Sequence, residues 1–280
     1  MDLFSPTFLN GIQSMEETIM ERRDFVAATG AVALAACTGS RVADGATRSA
    51  GTVSFYEWRE YHMLPGPKKN LLGNFLKNVE VPALNRLGIE PVGVFTSVFG
   101  GESLSIYMLV PYKSLDSFYM LSSRLAQDAK YMKDGAAVLD APQSDPAYVC
   151  YENSLMAGFE RMPNIVVPEP KSSRVFELRT YQSHSRKLGK KKIEMFNKAE
   201  IDIFLKCGLA PVFFGETLVG RNLPHLTYML AFDELAVRDQ VWSVFKKSPE
   251  WAELKSRPEY SGTVSNISVK ILKPAKFSQI

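Results

Sequence analysis

The chain says the same thing twice. Residues 55–63 read FYEWREYHM and residues 175–184 read VFELRTYQSH, so Glu57, Arg59 and Tyr61 return as Glu177, Arg179 and Tyr181 after 120 residues. The echo continues downstream. LGIEPVGVF (87–95) returns as CGLAPVFFG (207–215) at the same shift, and LSIYMLV (104–110) returns as HLTYMLA (225–231), where Tyr107 and Tyr228 align with a one-residue slip. Two copies at a shift of about 120, in a chain of 280 residues, call for two equivalent folding units.

Each copy predicts the same elements. A strand (53–62, 174–182) precedes a long amphipathic helix (67–87, 185–206). Gly88 and Gly208 stop the helix, and Pro91 and Pro211 open a hairpin of two strands (92–99 with 104–111, 212–219 with 225–232). A second helix (114–139, 234–256) and a closing strand (147–157, 262–273) complete a β-α-β-β-α-β unit, the ferredoxin-like arrangement. The copies span 53–160 and 174–280, joined by the Pro-containing linker 161–173.

Side chains alternate across a strand, so Tyr56 and Trp58 share one face and Glu57, Arg59 and Tyr61 the other. The apolar set is expected under the helices. The polar set is then expected to face the lumen of a barrel, closed by the two copies in one chain or by pairing with a second chain. A carboxylate and a guanidinium two residues apart are about 7 Å apart along the strand. Either alone would be costly to bury, so a pair or network is expected, serving as structural ion pairs or as contacts to a ligand.

The segments VFELRTY, GLAPVFFGETLVG, LTYMLAFDELAVRDQVW and SPEWAEL resemble the NIPSNAP family over 174–273, and YEWREY and GIEPVGVF carry a weaker resemblance over 53–157. The resemblance implies an α+β fold of the dimeric α/β-barrel superfamily. That superfamily includes cofactor-free oxygenases, haem-dependent enzymes and binding proteins, so the family name supplies architecture more than activity.

The N-terminal region reads as an address. Residues 20–37 pair Arg22-Arg23 with a short apolar run and end in Leu34-Ala35-Ala36-Cys37, which resembles a twin-arginine export signal with a lipidation site at Cys37. Residues 1–19 precede it with no evident role, Met15 or Met20 is a candidate start, and 38–52 is a polar tether. The expected location is exported, periplasmic or held at the membrane through the lipid alone. Cys150 and Cys207 are expected as buried free thiols. A net charge of +3 gives no footing for nucleic-acid binding, and the basic run Arg186, Lys187, Lys190, Lys191, Lys192 reads as a solvated helix face. No P-loop, Rossmann glycine pattern, HExxH or metal-ligand spacing is present, and no cofactor is called for.

The candidate ligand-binding residues are therefore Glu57, Arg59, Tyr61, Glu177, Arg179 and Glu216, the last alternating with Phe214. His184 and Tyr181 are the candidate proton shuttles; His62 stands at the equivalent place after the first triplet, and His225, at the start of a strand, is the weaker histidine. Trp242 and Phe245 read as core. The leading expectation is a small, partly apolar ligand in the barrel, handled by cofactor-free oxygenation or isomerisation if the site is catalytic. The rivals are a non-catalytic interaction module with a filled barrel, whose surface would bind a partner at the cell envelope, and a haem-binding barrel; a homodimer is compatible with each of these readings.

Overall fold

Each copy of the repeat becomes a strand, a helix, a hairpin, a second helical stretch and a closing strand. The computed structural model describes residues 54–63, 66–100 and 105–280. The signal-like segment, the tether and Cys37 lie outside those residues. The strands are β1 (Phe55–His62), β2 (Gly93–Phe99), β3 (Ser105–Tyr112), β4 (Cys150–Gly158), β5 (Val175–Gln182), β6 (Ala210–Val219), β7 (His225–Phe232) and β8 (Asn266–Pro274). Helix α1 (68–86) carries a π turn at Leu76–Glu80, and its counterpart in the second copy (186–206) carries one at Phe196–Glu200, again 120 residues on. The second helical stretch of the first copy breaks into α2 (Leu115–Tyr119), α3 (Leu121–Gln127) and α4 (Ala129–Leu139). After α5 (186–206), the second copy has α6 (Leu235–Lys247) and α7 (Pro249–Ser256). Gly88 and Gly208 end α1 and α5 with φ of 72° and 85°, a backbone setting that glycine adopts without strain.

All strand pairs are antiparallel, in the closed order β1-β3-β2-β8-β5-β7-β6-β4. Each copy contributes a four-stranded sheet, and the seams β2–β8 and β4–β6 join the copies edge to edge. The barrel therefore closes within one chain and leaves no sheet edge open.

Two expectations are corrected here. The one-residue slip disappears, because β3 and β7 start at Ser105 and His225, 120 residues apart, and Arg59 pairs with Met108 as Arg179 pairs with Tyr228. Tyr228 thus corresponds to Met108, and Tyr107 lies on the opposite face of the sheet. The two faces are also exchanged. Tyr56, Trp58, Phe95, Tyr107, Phe176 and Phe213, with neighbours from all eight strands, form a helix-free cluster that fills the barrel interior. Ring contacts cross between the copies there: Tyr56 meets Phe213 at 5.5 Å and Phe95 meets Phe176 at 5.1 Å. Glu57, Arg59, Tyr61 and their repeats point outward instead, beneath the helices. Two further cores lie on that side, one under each helical layer.

Candidate functional site

In the first copy the outward triplet is locked. Arg59 donates from Nε and Nη2 to the two oxygens of Glu57 (2.8 and 3.0 Å), and from Nη1 to the Tyr61 hydroxyl (3.0 Å) and to Glu80 (2.9 Å). Glu57 also accepts from the Tyr112 hydroxyl at 2.7 Å and from Asn153 at 3.3 Å, and Glu80 accepts from the Tyr131 hydroxyl at 2.8 Å. Glu57, Arg59 and Glu80 are all buried. Burial works against the Glu57 carboxylate, but Arg59 and the donors from Tyr112 and Asn153 outweigh it and hold this carboxyl below the usual range. Burial likewise pushes the Tyr61 and Tyr112 phenols well up, keeping both neutral, Tyr61 as an acceptor from Arg59 and Tyr112 as a donor to Glu57. Every arm of the Arg59 guanidinium is engaged by protein.

In the second copy the same strand positions are wired differently. Glu177, with no exposed surface, accepts from Arg179 (2.6 Å), from Arg238 through Nε (2.9 Å) and Nη2 (2.7 Å), and from the Trp242 indole N–H (2.6 Å). Glu200, the counterpart of Glu80, does not meet the strand arginine. Its partner is Lys192, at 2.6 Å. Lys192 is buried, which corrects the reading of its basic run as a wholly solvated face. Its ammonium sits 4.6 Å from the Phe196 ring centre and 5.6 Å from that of Trp251. Burial raises the Glu200 carboxyl, opposed by Lys192 and Arg179.

Arg179 is consequently left with Glu177 and the Tyr181 hydroxyl as its hydrogen-bond partners among the described residues, and no helix carboxylate. Its guanidinium lies over the Trp242 ring at 4.7 Å, and its Nε is buried without a partner. It opens on a cavity of about 410 Å³ lined by Arg179, Arg238, Asp239, Trp242, Lys246 and Lys247. Beneath it the Tyr181 and Tyr228 hydroxyls bond each other at 2.8 Å.

The other predicted residues fall elsewhere. His184 is exposed in the turn between β5 and α5. His62 closes β1, 3.1 Å from Glu152, and His225 contacts Thr217 at 3.2 Å. Glu216 does alternate with Phe214 and share the outward face, but it pairs with Lys190 at 2.6 Å and lines different cavities from that of Arg179. Cys150 is exposed and Cys207 half-buried, so both are free thiols as expected, but neither is fully buried. Among the described residues, no group of three or more His, Cys, Asp or Glu could hold a metal ion, and no helix is long and apolar enough to cross a membrane.

This doubled architecture matches a family model. The NIPSNAP model covers residues 56–139 and 176–279, most of both copies. The chain belongs to the NIPSNAP family. Protein NipSnap homolog 3A of Homo sapiens and of Pongo abelii is 25% identical over 149 residues, 52% of this chain; the match spans 51% of the length of those relatives. Among solved structures, a "putative monooxygenase" from Fusobacterium nucleatum aligns over 80% of this chain and 94% of its own, with a TM-score of 0.55 and 10% identity. Another from Lactobacillus acidophilus aligns over 79% and 94%, with a TM-score of 0.53 and 11% identity. At such identities these likenesses speak for the shared barrel fold.

Within the NIPSNAP chain, sequence reasoning missed Glu80, Glu200, Lys192 and Arg238, and took Trp242 for core alone. A signal for the carboxylates was present. Glu80 and Glu200 stand 120 residues apart inside otherwise apolar helix faces. The π turn, whose extra residue re-aims the side chains that follow, has no such signature.

Proposed function

We propose that this NIPSNAP protein binds a small, partly apolar molecule in the cleft between β5 and α6 of its second copy. One observation carries the reading: two arginines at equivalent positions differ in saturation. Arg59 has protein partners on Nε, Nη1 and Nη2, Glu80 among them, while Arg179 meets only Glu177 and Tyr181, leaves its Nε without a partner and opens on a cavity of about 410 Å³, within the range of small-molecule sites. Trp242 supplies the apolar wall. Glu177 holds Arg179 and Arg238 in place from behind.

The barrel interior, filled by side chains from both copies, favours the outer cleft over the lumen as the ligand's location. If the site is catalytic, the group suited to moving a proton is Tyr181. Burial raises its phenol, which Arg179 partly offsets, so it stays protonated at neutral pH and shares its proton with Tyr228. Oxygenation or isomerisation without a cofactor is the reaction class this arrangement suits, and the barrel shared with the "putative monooxygenase" structures is compatible with it. Export through the twin-arginine-like segment, with lipid on Cys37, belongs to the same proposal; mass spectrometry of Cys37 from the native membrane fraction tests it.

The test of the site is native mass spectrometry of the protein purified from its own host, beside the Arg179→Ala variant. A small mass carried by the wild type and absent from the variant is expected. A mass retained in full by Arg179→Ala removes the site from this cleft.

A further inference from the structure

The cleft does more than leave space; it carries a charge. At the shift of 120 residues, Glu57, Arg59, Tyr61 and Glu80 each meet the same residue type in Glu177, Arg179, Tyr181 and Glu200. One difference lies eight residues before the helix carboxylate, where Leu72 in α1 becomes Lys192 in α5, and another in the second helical stretch, where Phe118 becomes Arg238. Leu72 is fully buried and offers Glu80 nothing, so Glu80 turns to Arg59. Lys192 is also buried and takes Glu200 for itself.

The electrostatic outcome is opposite in the two copies. In the first, two carboxylates face one guanidinium. In the second, the Lys192–Glu200 pair is neutral. The cavity then sets Arg179, Arg238, Lys246 and Lys247 against Glu177 and Asp239, an excess of two positive charges. Lys246 and Lys247 make no ion pair among the described residues. Glu177 is already satisfied by four donors, so it does not absorb that excess.

Resting on the small-molecule reading of this cleft, we propose that its ligand is anchored through an anionic group, carboxylate or phosphate, on the open edge of Arg179, and that Lys192 is the positioning residue that keeps the edge open by holding Glu200 away. Guanidinium N–H donors suit such a group, and the Trp242 ring centre lies 4.7 Å from the Arg179 guanidinium carbon, beside the donors that face the cavity. A ligand with an aromatic or apolar body next to its anion would use the indole and the charged rim together.

The experiment is calorimetric titration of the full chain with four probes that share one ring: benzoate, phenyl phosphate, benzamide and benzamidine. Benzoate or phenyl phosphate is expected to bind, with benzamide at least about tenfold weaker and benzamidine not at all, since bonds to a charged partner are worth that much. Whichever anion wins identifies carboxylate or phosphate. Equal binding of benzamide or benzamidine overturns the anionic class while leaving a small-molecule site standing, and binding of none of the four overturns site and class together. Lys192→Leu, copying Leu72, is expected to lose anion binding about tenfold or more as Glu200 swings onto Arg179. Lys192→Leu/Glu200→Gln is expected to regain it. A ligand-free crystal structure of Lys192→Leu decides the positioning role even where no probe binds: Glu200 within salt-bridge distance of Arg179 supports it, and Glu200 left apart from Arg179 overturns it.

Discussion

The two strand arginines are chemically identical and energetically unlike. Arg59 neutralises two buried carboxylates at once, so Arg59→Ala strands both and is expected to cost about 3–5 kcal/mol, read as a lowered urea midpoint. Arg179→Ala leaves Glu177 with Arg238 and Trp242 and Glu200 with Lys192, so its stability loss is expected to be the smaller of the two. Equal losses would contradict this wiring. Glu57 adds a pH signature. Its carboxyl titrates lower in the folded chain than the value of about 4.3 for an unfolded glutamate. The stability it contributes is therefore complete above about pH 4.3 and drains away as the pH falls through its folded-state value. Glu57→Gln is expected to be less stable at pH 7 and to lose less on acidification than the wild type, as measured by urea unfolding across that interval.

At the scale of strands and helices, much was legible. The repeat located every strand, and glycine marked both helix ends. Adding a methyl at Gly88 or Gly208 meets nothing within 4 Å, so Gly88→Ala and Gly208→Ala test backbone conformation alone. Each is expected to lower thermal stability by about 1–2 kcal/mol, and the double variant by about the sum. What the alternation of β1 and β5 did not reveal was which face looks inward. Period two divides a strand into two sets, and normally the polar set is the wet one. Here both faces are covered, one by the opposite wall of the barrel and one by a helix, so Glu57 and Tyr56 are equally buried and polarity stops reporting direction. Their partners were hidden for another reason. Glu80, Lys192 and Glu200 reach the strands from helices, and the π turns that aim the two carboxylates leave no mark in composition. Arg238 has no polar counterpart at all, since the equivalent position in α2 is Phe118.

For the barrel as a whole, the seams β2–β8 and β4–β6 make each copy the lid of the other. Phe213→Ala, at the contact with Tyr56, is expected to cost about 3–5 kcal/mol and to lower one cooperative transition rather than split it in two. A fragment of residues 174–280 would bare the apolar inner face and two strand edges, so light scattering should find it as a dimer; a stable monomer would show that the seams are dispensable. Joining two copies covalently has a consequence of another kind. In a barrel assembled from two identical chains, every substitution arrives twice, once on each side of the axis. A change that opens one pocket must open both, and any loss of stability is doubled. Here the two halves are separate stretches of one sequence, and Leu72 and Lys192 vary independently. One half can serve as ballast while the other is free to be electrically unbalanced.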